Sequence, residues 1–89
     1  MTQDQCVSLL ERATEEILPE YEWHAFIGMS IRGNPALETL RMQCIAIDEE
    51  GIKGTHKVKG QACLLFNQQG RVQLSVLLDE WQHKTDYLI

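Results

Sequence analysis

Apolar residues recur along the start of the chain at the spacing of a helix. Cys6, Leu10, Ala13 and Ile17 fall every three or four positions, and Val7, Leu9 and Leu18 widen the stripe. Ser8, Glu11, Arg12, Glu15 and Glu16 lie largely on the other side. Thr2 followed by Gln5 fits a capping box, in which two side chains satisfy orphan amide donors at a helix start. Pro19 has no N–H to give to a helix ladder. The pattern therefore predicts an acidic amphipathic helix over 1–18.

Beyond Pro19 the period shortens to two. In "EWHAFIGMSIRG", Trp23, Ala25, Ile27, Met29 and Ile31 alternate with His24, Phe26, Gly28, Ser30 and Arg32, which predicts a strand broken by Gly33-Asn34-Pro35. Leu40, Met42, Cys44 and Ala46 alternate with Thr39, Arg41 and Gln43 and predict a second strand. "IDEEGI" (47–52) and "FNQQGR" (66–71) share one turn chemistry. Asp48 and Asn67 can bond their own following amides, and Gly51 and Gly70 can take the positive φ that closes a hairpin. "GIKGTHKVKG" reads as a bent strand with Lys53, Thr55, Lys57 and Lys59 on one face, and Gly54 and Gly60 permit bulges or bends. In "RVQLSVLL", Val72, Leu74, Val76 and Leu78 share a strand face.

These elements predict an α+β fold in one domain, 1–89. The N-terminal helix covers one face of a four-stranded antiparallel meander over 22–78, in two layers. Residues 79–89 read as a helical turn, a fifth edge strand or a packed extension, and "DYLI" ends on apolar residues suited to strand addition or packing. Phe26, Ile45, Ile47, Leu65 and Leu77 put apolar side chains on the second strand faces. One helix cannot cover both faces, so the pattern predicts a homodimer.

Charge changes the picture more than composition does. Apolar content of 44% and charged content of 24% are ordinary globular usage and argue against disorder. The net charge of −5 resides in residues 1–22, which hold six acids and one base. Such a surface repels nucleic acid and attracts a basic partner. No apolar run reaches the roughly 18 residues of a membrane span. The acids near the start do not fit a secretory signal, so the expected compartment is the cytoplasm. Cys6, Cys44 and Cys63 sit in separate apolar contexts and read as buried free thiols.

Candidate chemistry is sparse. The glycines at 51, 54 and 60 lack the spacing and following helix of a phosphate-binding loop. His24, His56, His83 and the three cysteines show no metal-ligand spacing. Cys44 or Cys63 beside His24 or His56 is conceivable across strands, yet neither cysteine lies at a helix N-terminus that would lower its pKa. The sequence thus assigns no catalytic residue, metal or cofactor. It predicts a small acidic protein-interaction module: a regulator, inhibitor or adaptor of the bacterial or phage accessory type. Glu11, Glu15, Glu16, Phe26, Lys53, Lys57 and Lys59 are its binding residues. The alternative is a small-molecule binder or minimal enzyme, with a pocket between curved sheet and helix and with His24, His56 and Cys44 as its polar groups.

Overall fold

A computed structural model describes the backbone of residues 2–87 and the side chains through His83. Helix α1 spans Gln3–Thr14. The capping box at its start is formed: the Thr2 hydroxyl accepts from the Gln5 amide, and the Gln5 side chain accepts from the Thr2 amide at 2.8 Å. The helix ends at Thr14, four residues before the position expected from Pro19. The Ile17 amide bonds the Arg12 carbonyl and the Glu16 amide bonds the Ala13 carbonyl, with Glu16 at φ 61°. That is a Schellman termination built on a glutamate where glycine is the usual occupant.

Among the described residues the four-stranded meander is not present. Residues 20–50 hold helices α2 (Glu20–Gly28) and α3 (Pro35–Glu50), followed by strands β1 (Ile52–Val58) and β2 (Gln61–Phe66) and helix α4 (Gln68–Tyr87). The two strands form one antiparallel hairpin. The fold is therefore helix-rich, and the expected single helix on a broad sheet is corrected to four helices around a hairpin among the described residues.

Each correction has a local cause. Asn34 caps α3 through its side chain, which accepts from the Leu37 amide, and Pro35 occupies the first helical turn, where no N–H is needed. Leu37, Leu40, Cys44 and Ile47 then recur at helical spacing and are all buried. Gly51 is the C-cap of α3 with φ −104°, so it closes no hairpin turn. Asp48 accepts a hydrogen bond from Trp23 Nε1 at 2.9 Å. Asn67 does bond a following amide, that of Gly70 at 2.8 Å, and by doing so starts α4. The true hairpin turn is Lys59-Gly60, where both residues have positive φ, 51° and 83°. Gly54, at φ 154°, sits at the bulge between Ile52 and Gly54. The uncertain tail continues α4 through Tyr87, and Leu88 and Ile89 lie outside the described residues.

The core gathers Leu9, Leu10 and Ala13 from α1, Trp23 and Phe26 from α2, Leu37, Leu40 and Ile47 from α3, Leu64 and Phe66 from β2, and Leu74, Leu77 and Trp81 from α4. Trp23 meets Phe66 edge to face at 5.4 Å, an arrangement worth about 1 kcal/mol beyond its buried area. Segment 18–19 joins the free side of β2, with the Leu64 amide bonding the Leu18 carbonyl. Arg41, 7% exposed, fastens α3 to α2. Its Nη1 donates to the Ile27 carbonyl at 2.7 Å, while Nε and Nη2 grip the Glu38 carboxylate.

Candidate functional site

Helical spacing sets the site. Positions 4/5, 8/9 and 12 of α1 succeed one another turn by turn, as do 21/22 and 25/26 of α2. Between these two stripes lies an open groove of about 540 Å³. Leu9 and Phe26, both buried, form its floor, and Asp4, Gln5 and Ser8 form the α1 wall. Tyr21, 65% exposed, stands on the α2 side. Arg12 spans the groove, with Nη1 donating to both carboxylate oxygens of Glu22 at 3.1 and 2.9 Å. Both side chains of that pair are about one-third exposed, so the bridge holds with no more than about 1 kcal/mol. A partner carrying charge can therefore redirect either side chain at small cost.

The residues expected from sequence are not brought together. Phe26 was expected on an outer strand face and instead lies under the groove. Glu11 and Glu15 are exposed on and just beyond α1 but line no part of the groove, and Glu11 accepts a hydrogen bond from Gln82 of α4. Glu16 turns inward, and its Oε2 is buried with no hydrogen-bond partner. Lys53, Lys57 and Lys59 are exposed on the hairpin, alternating with half-buried Ile52, Gly54, His56 and Val58 as the lysine-face reading expected. Tyr21, Ser8, Leu9 and Arg12 were missed. Their signal is the four-residue spacing shared by α1 and α2, which becomes visible only once 20–28 is read as helix.

The polar groups of the alternative pocket are dispersed. His24 is exposed on α2, His56 presents Nε2 to the Glu16 carbonyl at 2.6 Å, and none of His24, His56 and Cys44 lines the groove. Burial, with the neighbouring Cys6 thiol as a lesser cause, pushes the Cys44 thiol up to about 12, which keeps it protonated and a poor nucleophile. Cys6 is likewise raised by burial. Among the described residues no cluster of three His, Cys, Asp or Glu side chains is placed to hold a metal ion, and no helix is long and apolar enough to cross a membrane. No protein-family model, curated protein or solved structure matches the chain.

Proposed function

We propose that this chain is a small protein-interaction module, a regulator, inhibitor or adaptor. It holds a basic, apolar-studded segment of another protein in the α1/α2 groove and works as a homodimer. The observation that carries this reading is the groove itself. It has an apolar floor, an exposed tyrosine and a loosely held ion pair, and it lies in the segment that contains the whole net charge of the chain. An amphipathic helix seats its apolar face in such a groove, and tyrosine and arginine are the side chains on which interfaces concentrate their energy. The role assigned is binding, with no chemical step. Three buried free thiols fit a reducing compartment such as the cytoplasm.

Two labelled helical peptides test the reading, with the same leucine face and with either lysine or glutamate on the polar face. In fluorescence anisotropy the lysine peptide binds, more weakly as salt rises, and the glutamate peptide does not. Tyr21→Ala removes about 2 kcal/mol, or roughly thirtyfold in affinity, and Ser8→Arg blocks the groove. Equal binding of the two peptides, no binding of either, or binding indifferent to Ser8→Arg overturns the proposal.

A further inference from the structure

Helix α4 buries Leu74, Leu77 and Trp81 against the rest of the molecule. That choice puts Val72 and Val76, one turn apart, on the opposite side, where they are 57% and 60% exposed. Helix α4 begins where α3 ends, and the two helices flank a groove of about 340 Å³ lined by Gln43, Ala46 and Ile47 of α3 and by Val72, Gln73 and Val76 of α4. Met42, 55% exposed, stands one turn before Ala46 on the same face of α3. Three of the six exposed large hydrophobic residues among the described residues thus share one face. Valine is a poor choice for a solvated helix surface, since it loses rotamer freedom there without packing against anything.

We infer that two copies of this chain pair through the α3/α4 face, with Val72 and Val76 at the centre of a two-fold seam. Charge selects a second copy as the occupant. Among the described residues no ionisable side chain lines the groove, although 24% of the chain is charged. A basic or acidic partner finds no counter-charge here. Two molecules that each carry −5, by contrast, can approach closely only where their charge is absent. At the axis of a two-fold seam each residue meets its own copy and so must be self-complementary, while away from it residue i meets j and j meets i. Valine against valine meets that condition, and so does glutamine against glutamine, because one amide both donates and accepts. Met42 supplies an adaptable knob, and the groove beside Ala46 supplies room for it. The inference rests on the dimeric part of the proposed function and names its surface. Of the residues that first suggested a dimer, Phe26 is buried in the core away from this face and Ile45 and Leu65 are half-buried, whereas Ile47 and Leu77, also buried, line the floor of this groove.

Light scattering coupled to size exclusion, on the full chain across the micromolar range, reads the outcome. The wild type gives about twice 10.2 kDa. Val76→Glu and Val76→Arg each weaken the dimer by more than about tenfold, because each sets like charges against each other. An equimolar mixture of the two variants recovers the dimer mass, and each variant alone still binds the lysine peptide. If Val76→Glu fails to fold, Gln73→Glu places the charge at an already exposed glutamine of the same seam. A monomeric wild type overturns both the seam and the dimeric part of the proposed function. A dimer that is indifferent to Val76→Glu, Val76→Arg and Gln73→Glu overturns the seam alone.

Discussion

Arg41 and Glu38 show how one pair of residues can organise a whole connection. The Arg41 guanidinium donates 2.7 Å bonds to both Glu38 oxygens and a third to the Ile27 carbonyl at the end of α2. Glu38 in turn accepts from the Ile31 amide at 2.9 Å, holding the loop between α2 and α3. The Arg41 hydrogen bonds, and then the Ile31 amide, lower the Glu38 pKa to about 2. A carboxylate whose pKa is depressed on folding stabilises the fold above its ordinary value, about 4.3, and that contribution disappears as pH falls through the depressed value. The wild type is therefore expected to lose stability from about pH 4 down toward pH 2. Urea midpoints taken at several pH values should show a shallower acid limb for Glu38→Gln, which starts less stable at neutral pH. Parallel limbs would remove Glu38 from the account of acid sensitivity.

At the scale of elements, the tightest constraint is the meeting of α3 and α4. The Asn67 amide bonds the Gly51 carbonyl at 2.8 Å, and Asn67 Nδ2 bonds the Glu50 carbonyl at 2.8 Å. A Cβ on Gly70 would stand 2.5 Å from the Gly51 carbonyl oxygen, whereas a Cβ on Gly28 would meet nothing within 4 Å. Helix propensity alone favours alanine at both glycines by up to about 1 kcal/mol. Backbone cannot rotate away as a side chain can, so the clash wins at Gly70. Gly70→Ala is expected to cost about 2 kcal/mol net and to lower Tm by roughly 10 °C, while Gly28→Ala holds or raises it. Equal shifts from the two variants would mean that the close approach does not constrain the fold. The same junction explains what was legible in the sequence. Thr2 with Gln5, the bond from Asn67 to a following amide and the lysine face of β1 were readable, because each depends on neighbours a few residues away, but Asn67 was read as closing a hairpin where it starts a helix. The helices were not separable from strands by alternation alone. Trp23, Ala25 and Ile27 alternate, but Trp23, Phe26 and Ile27 also fit a helix, and burial of Trp23 and Phe26 decided between them. Asn34-Pro35 ahead of Leu37, Leu40 and Cys44 is a helix-start signal that was read as a strand break. The α1/α2 groove was illegible for the same reason, since half of it depends on α2 being a helix.

Across the whole molecule, the lysines of the hairpin oppose the charge of the rest. The outer side of β1 has no strand paired to it among the described residues, so it presents free backbone donors and acceptors to other molecules. Lys53 and Lys57 project from that strand and Lys59 from its turn, all exposed. Two accounts of these residues make opposite predictions. If solubility followed net charge alone, removing three positive charges would take the chain from −5 to −8 and improve it. If the lysines guard an open edge by repelling a second copy of the same strand, removing them permits edge-to-edge pairing whatever the net charge. The edge account is favoured, because like charges on one strand face each other across a shared ladder, where they repel at short range, while the acids of α1 and α2 lie on other elements. The variant that tests it carries Lys53→Gln and Lys57→Gln. At Lys59, whose φ is 51°, asparagine is the replacement that keeps the turn. This triple variant should keep the wild-type melting temperature and peptide affinity, yet scatter light more strongly as concentration rises and gain β signal in circular dichroism. Scattering below that of the wild type would show that net charge governs solubility and that the edge needs no guard.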